Sequence, residues 1–331
     1  MNDNLLILLS RTNVKELLTI GEGISAVENA FKLYGMGKAT PPGILGMHAD
    51  AGGFHIKAGL MNLANHYFVA KTNANFPENR KNFNLPTIQG VVLVMDAKNG
   101  RPLSIMDSIE LTIIRTGAAT AVAAKYLSKP DSKIVTICGC GEQGKISIKM
   151  LREIRDIQKV YAYDTNHQTA EIFARDIRDT LSMDVEVTDS LEKVIPLSDI
   201  CVTCTTSGKA FVKEEYIYPG LFLAAVGADN EGKQELEPEV LKKSKLVTDL
   251  TAQASKIGEL HHAIEAGLVD EDFVYAELGE IVAGTKQGRK SPDEIFVFDS
   301  TGMALQDVAS AVIVYEKALS LRKGISFDFS K

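Results

Sequence analysis

Six consecutive residues, Gly139-Cys140-Gly141-Glu142-Gln143-Gly144, have the spacing G-x-G-x-x-G and directly follow the apolar run Ile134 to Cys138. Between a strand and a helix this spacing suits a pyrophosphate. The first glycine permits a tight turn, the second lets the backbone approach the ligand, and the third lets the helix pack close to the strand. The helix N-terminus then offers N–H groups and a favourable dipole to the phosphates. Asp164 lies twenty residues beyond Gly144, at the end of the next apolar run, Val160 to Tyr163. A carboxylate there accepts from the adenosine ribose hydroxyls and repels a 2′-phosphate, so NAD(H) is expected rather than NADP(H). Cofactor contacts are expected from Gly139, Gly141, Glu142, Gln143 and Gly144, and from Asp164 and Thr165. Loop residues after later strands join them: Thr205, Thr206 and Ser207, then Val226 and Gly227, then Ser300. The competing reading makes Asp164 a surface-turn residue and Thr205 to Ser207 an ordinary loop.

The surrounding elements must place that loop. From Lys133 onward strands alternate with helices: Ile134 to Cys138, Val160 to Tyr163, Val185 to Val187, Ile200 to Thr205, Leu221 to Val226, Leu246 to Thr248 and Ile295 to Phe298. Such alternation predicts a Rossmann-type doubly wound parallel sheet with helices on both faces. The first third reads as α+β. Ile24, Val27, Phe31 and Tyr34 have helical spacing, so a helix is expected from Gly21 to Tyr34, in a region that Pro41-Pro42-Gly43 ends. Phe54 to Leu60, Tyr67 to Thr72 and Ile88 to Met95 read as strands, the last turning through Asp96 to Gly100 into Pro102 to Met106. Residues Pro77 to Asn82 read as an exposed loop. Asp107 or Ser108 should cap a helix that Pro130 stops and that joins two domains. The apolar helix Gly302 to Leu321 should return to the first domain. The expected division is 1–116 completed by 303–331, a split α+β substrate and dimerisation domain, and 117–302, the NAD-binding domain.

Composition excludes several classes. The chain has 331 residues, 45% hydrophobic and 24% charged, with a formal charge of −7. Those proportions are those of a soluble globular protein. No basic block stands out, which argues against nucleic acid. The run Leu5 to Leu9 is far shorter than a membrane span and lacks a basic flank, so it reads as a buried strand. A cytoplasmic protein with no membrane partner is expected. Cys201 and Cys204 form a C-x-x-C, but on a strand residues three apart point to opposite faces. No second C-x-x-C or nearby histidine pair completes a zinc set, so no metal site is assigned.

Several segments occur in an order that is specific. They are Lys71-Thr72-Asn73-Ala74-Asn75-Phe76-Pro77, Leu85-Pro86-Thr87-Ile88-Gln89-Gly90, Ile105-Met106-Asp107-Ser108 and Arg115-Thr116-Gly117-Ala118-Ala119. Later come Ala225-Val226-Gly227-Ala228-Asp229, Glu277-Leu278-Gly279-Glu280 and Phe298-Asp299-Ser300-Thr301-Gly302-Met303. Together they resemble the ornithine cyclodeaminase/mu-crystallin family over nearly the whole chain. The resemblance implies a homodimer whose split N-terminal domain carries the substrate and dimer contacts. It implies that Lys71 and Arg115 hold a substrate carboxylate and that Asp229 is the catalytic general acid/base. Physical chemistry agrees: arginine offers a carboxylate a planar bidentate donor, and burial lowers a lysine's pKa into the range of proton transfer. The plain alternatives are a surface lysine, a helix-capping arginine and a loop aspartate. One departure stands out. Many members carry another arginine after a segment like Pro41-Pro42, whereas this chain reads Gly43-Ile44-Leu45-Gly46-Met47-His48. His48, His55 and Lys57 are the candidate substitutes.

The resemblance implies NAD(H)-dependent hydride transfer at the α-carbon of a small amino or imino acid. The resulting imine has three fates: hydrolysis, as in alanine dehydrogenase; internal attack by a side-chain amine, as in cyclodeamination of ornithine to proline and ammonia; or, in reverse, reduction of a cyclic imine. Ornithine cyclodeamination is the leading named activity. A mu-crystallin-like small-ligand binding protein is the non-enzyme alternative, and an NAD-responsive regulatory subunit is another.

Overall fold

A computed structural model of the chain describes residues 5–328; residues 1–4 and 329–331, at the outer ends of the expected first domain, lie outside the described residues. The chain divides into two compact units, 1–115 with 303–331, and 116–302.

The first unit is built on a seven-stranded sheet. Its spatial order is Ile325–Asp328, Leu5–Leu9, Pro102–Asp107, Ile88–Asp96, His66–Asn75, Gly52–Asn62 and Gly43–Ala49. Only the Leu5–Leu9/Pro102–Asp107 pair is parallel; the other neighbours are antiparallel. The helices Ile20–Gly35 and Ala304–Leu321 pack together, and the second lies on the strands Gly52–Asn62 and His66–Asn75. Apolar side chains at helical spacing make this contact: Val27 and Phe31 from one helix, Val308 and Val312 from the other, all buried. From His66 to Lys71 burial alternates, so Tyr67, Val69 and Lys71 are buried on one face. Thr19 and Glu22 close the start of Ile20–Gly35 with a reciprocal capping box.

The second unit holds an eight-stranded sheet, parallel throughout. Its order is Asp184–Val187, Lys159–Tyr163, Ile134–Cys138, Ile200–Thr203, Phe222–Ala225, Phe296–Asp299, Lys245–Thr248 and Ala276–Glu277. The first strand in sequence, Ile134–Cys138, lies inside the sheet, and the chain winds away from it in both directions. That is the doubly wound arrangement, whose ligands sit beyond the strand ends at the switch point. The central strands Ile200–Thr203, Phe222–Ala225 and Phe296–Asp299 are buried at every residue, which is why they read as unbroken apolar runs. A small two-stranded sheet, Gly208–Val212 with Gln234–Leu236, completes the unit.

Three local readings are corrected. Residues expected to form the loop 77–82 include a short helix, Asn79–Phe83, where Asn82 N–H donates to Glu78 at 2.9 Å and Asn84 ends the turn left-handed. Gly43–Ala49, after Pro41-Pro42, is a strand; all seven residues are exposed, so no alternation betrayed it. Arg11–Leu17, unassigned in the sequence reading, is a helix capped by Ser10.

Gly90 shows how tightly the sheet beside Lys71 is packed. A Cβ there would lie 2.3 Å from the Thr72 carbonyl oxygen and 2.3 Å from Asn73 Oδ1. Backbone cannot yield cheaply, so Gly90→Ala should destabilise the protein by about 2–4 kcal/mol. Chemical denaturation of the variant checks this, and an unchanged midpoint would show that the strands can part there.

Candidate functional site

In the first unit the core contains charge. Lys71 Nζ donates to Asp307 Oδ1 at 2.8 Å, and Arg115 Nε stands 3.1 Å from the same oxygen. Arg115 Nη1 donates to Gln306 Oε1 at 3.2 Å. Lys71, Arg115, Gln306 and Asp307 are all buried. They arrive from three parts of the chain: Lys71 from a strand, Arg115 from the helix Ile109–Leu127, and Gln306 with Asp307 from the first turn of Ala304–Leu321. Arg115 shares a helix face with Leu111 and Ala118, which are fully buried, so its guanidinium is carried inward.

Charges and donors do not balance. Two cations face one carboxylate, and Gln306 Nε2 and Asp307 Oδ2 have no hydrogen-bond partner. Arg115 Nε is close to Asp307 without hydrogen-bond alignment. Orphaned buried polar groups of this kind call for a ligand or water. Burial, and then the neighbouring Arg115 and Lys57, lower Lys71 to about 7 despite Asp307. Asp307 is held below the ordinary carboxylate value: burial opposes this, and Lys71, Arg115 and Lys57 outweigh it.

Lys57, one of the three candidates for the missing arginine, lies beside Lys71. It is buried and directly opposite Lys71 across the antiparallel pair, so the two side chains share a face. His48 is exposed on the edge strand and His55 is half-buried. Lys57 adds its charge to those acting on Lys71 and Asp307. Gln306 and Asp307 escaped the sequence reading. Their signal was a polar pair inside an otherwise apolar helix, which requires partners.

In the second unit the glycine loop meets the tests for a pyrophosphate. Gly139 has φ 104°, a region that favours glycine. A Cβ on Gly144 would lie 2.3 Å from the Gly139 carbonyl oxygen, while one on Gly141 would meet nothing within 4 Å. The helix Glu142–Ile154 begins at Gly141 with no side-chain cap, so its first N–H groups face that open space. Glu142 is exposed there, and the buried Gln143 Oε1 lacks a partner. Asp164 brings the second strand's end to this loop: its Oδ2 accepts from Cys140 N at 3.0 Å and its Oδ1 from Asn166 N at 2.9 Å. A carboxylate has lone pairs left for ribose hydroxyls. Thr165 is exposed beside it.

The remaining expected residues lie on loops after neighbouring strands. Thr205, Thr206 and Ser207 follow Ile200–Thr203, and Ser207 N donates to Thr205 Oγ1 at 3.1 Å. Val226, Gly227 and Asp229 follow Phe222–Ala225. Asp229 is 45% exposed and pairs with Lys233 at 2.7 Å, which is compatible with either a working carboxylate or a plain loop residue. Ser300 follows Phe296–Asp299 and donates to Asp249 at 3.2 Å. Cys201 lies in a strand and Cys204 beyond its end; neither is in a disulfide, and burial raises the Cys204 thiol well above its usual value. His261, His262 and Glu265 cluster on one short helix, Glu259–Glu265.

Lys71 carries a titration that can be read directly. Its folded value lies below the unfolded one, so the unfolded chain binds more protons from about pH 7 up to the ordinary lysine value. Folding stability therefore rises with pH across that window, and the penalty is full below about 7. In protein carrying 13Cε-lysine, one NMR signal should titrate near neutrality and vanish in Lys71→Met, which should also flatten the stability rise. Lysine signals that all titrate above pH ~9, near the ordinary value, would remove Lys71 as a proton carrier.

Relatives place these observations in a family. An alanine dehydrogenase of Archaeoglobus fulgidus is 38% identical over 325 residues, 98% of this chain and 98% of that protein. The solved structure of an archaeal alanine dehydrogenase dimer with bound NAD matches with a TM-score of 0.93 at 38% identity, covering 98% of this chain and 99% of that one. A Thermococcus litoralis Δ1-pyrroline-2-carboxylate reductase, solved with NADH and L-proline, matches with a TM-score of 0.91 at 33% identity, covering 97% and 99%. The family model for the ornithine cyclodeaminase/mu-crystallin family matches residues 5–322, and this chain belongs to that family.

Proposed function

We propose that this protein is an NAD(H)-dependent oxidoreductase of a small α-amino or α-imino acid. One observation carries the reading: Lys71 and Arg115 share a single oxygen of Asp307 in a buried site, which leaves positive charge and unpartnered donors for a carboxylate. Arg115 and Gln306 Nε2 donate to that carboxylate, and Asp307 keeps both cations in place. The dinucleotide is held by Gly139 to Gly144 through backbone N–H groups and by Asp164 through the ribose. When bound, NAD(H) supplies a hydride acceptor or donor for the α-carbon. Lys71 Nζ, poised near neutrality, takes up or releases a proton at the substrate nitrogen. Asp229 acts as general acid/base on the amine or on water.

Names carried by the relatives favour amino acid dehydrogenation or imine reduction over cyclodeamination of ornithine. The three chemistries share one residue set, so a substrate panel must separate them. Alanine, ornithine, lysine and the cyclic imines pyrroline- and piperideine-2-carboxylate are offered with NAD or NADH, and both NADH absorbance and ammonia are followed. Ammonia with NADH formation is expected from alanine, or NADH consumption without ammonia from a cyclic imine. Ammonia without net NADH identifies a cyclodeaminase. No turnover with any compound, together with intact NADH binding, favours a mu-crystallin-like carrier. A bound carboxylate stabilises protonated Lys71, so affinity for the acid should fall as pH rises above about 7. Lys71→Met should lose that dependence, and Arg115→Met should lower kcat/KM about 100-fold or more.

The edge strand Gly43–Ala49 supports a homodimer. Ile44, Leu45 and Met47 are 41%, 54% and 48% exposed on an unpaired sheet edge, a combination that a second copy of the chain would cover. A related alanine dehydrogenase is itself a dimer. Light scattering after size exclusion should give twice the chain mass for the wild type and the single-chain mass for the double variant Leu45→Lys with Met47→Glu. A wild-type monomer would end this assignment.

A further inference from the structure

Below the strand ends of the second unit runs a series of buried carboxylates. Glu235 is fully buried and accepts four hydrogen bonds. Oε1 takes Thr205 N at 2.6 Å and Thr205 Oγ1 at 2.7 Å; Oε2 takes Thr203 Oγ1 at 2.7 Å and Gly227 N at 3.1 Å. Thr203 ends one strand, Thr205 lies in the loop after it, and Gly227 follows its neighbour in the sheet. One carboxylate therefore holds two adjacent loops in register. Gly227 must be glycine for this, because a Cβ would lie 2.5 Å from the Glu235 carboxylate.

Glu235 is itself fixed. Glu259 accepts from Glu235 N at 2.8 Å and Leu236 N at 3.1 Å, and Asp299 accepts from Leu260 N at 2.9 Å. Asp249 continues the pattern at the third loop, accepting from Gly302 N at 2.6 Å, Ser300 Oγ at 3.2 Å and Thr301 Oγ1 at 3.0 Å. Backbone N–H groups only donate, so Thr205 N and Gly227 N need an acceptor on each Glu235 oxygen. The ionised carboxylate offers two strong acceptors, whereas protonation leaves the hydroxyl oxygen a poor one and weakens the hold on one loop.

We infer that Glu235 is a positioning residue for the dinucleotide: ionised, it holds the Thr205 and Gly227 loops in the arrangement that receives the cofactor, and protonated, it releases one of them. The inference rests on the dinucleotide reading above and deepens it. Glu235 touches no reacting atom and acts through the two loops. Burial pushes its carboxyl above the usual value, against the pull of its four donors. Glu259 and Asp299 face it from the helix Glu259–Glu265 and the strand Phe296–Asp299, and Cys138 and Cys204 from the strand ends. Lys233 approaches from the other side, donating to the Gly227 carbonyl at 3.3 Å. Asp299 is likewise raised, to about 7, by burial.

Full-length wild type, Glu235→Gln and Thr203→Val are compared by NADH fluorescence titration from pH 8 to pH 5.5, with near-ultraviolet circular dichroism reporting the fold. Whichever way a glutamine amide turns, its NH2 confronts the Thr205 or the Gly227 N–H, so NADH binding at pH 8 should weaken by about tenfold or more. Wild-type affinity should fall on acidification, and Glu235→Gln should have lost the part of that fall due to Glu235. Thr203→Val removes one bond to the ionised form, so its loss of affinity should begin at higher pH. It decides the matter if Glu235→Gln does not fold. Folded variants that bind NADH with the wild-type affinity and pH profile overturn the inference while leaving the dinucleotide reading intact. A wild type that binds no NADH at any pH overturns both.

Discussion

Asp307 sets the conditions for the first unit. Two cations, Lys71 and Arg115, are drawn out of water onto one of its oxygens. Desolvating three charges is unfavourable unless each is paired, and removing one partner of a buried pair typically costs about 3–5 kcal/mol. The sheet, the helix Ile109–Leu127 and the helix Ala304–Leu321 must therefore keep their mutual placement, because the charges tolerate no other. The same arrangement leaves the group incompletely neutralised. An acid that enters satisfies the electrostatics and the idle donors together, so the strain of burial becomes affinity for a carboxylate.

The second unit solves a different problem with backbone. An anionic dinucleotide suits helix N-termini and glycine loops, which offer donors without a desolvated cation. The doubly wound order puts the glycine loop at the switch point and leaves neighbouring strand ends free to carry further contacts. Carboxylates beneath those ends hold the loops through their own N–H groups. Negative charge is thus used twice: on the ligand above, and in Glu235, Glu259, Asp299 and Asp249 below.

Family membership narrows the chemistry without choosing the substrate. Relatives named for alanine, pyrroline carboxylate and other imino acids share this fold. The proposed carboxylate anchor would suit any of these acids, so the fold and the anchor together do not choose among them. Lys57 puts a third cation beside Lys71 and helps to lower its pKa.

The sequence by itself determined what is local. The glycine spacing, the apolar strands and the two long apolar helices are set by side-chain period and turn chemistry over a few residues. Ordered motifs around Lys71, Arg115 and Asp229 then gave the family. The tertiary structure decided what depends on distant partners. Glu235 sits in Lys233-Gln234-Glu235-Leu236-Glu237, a segment the sequence left unassigned, and only the fold buries it beside two strand ends. The strand Gly43–Ala49 had no readable period because neither of its faces is buried within one copy of the chain. His48, His55 and Lys57 were equal candidates until the register set Lys57 opposite Lys71. A buried charge acquires its meaning from groups more than a hundred residues away, and no local pattern encodes that meeting.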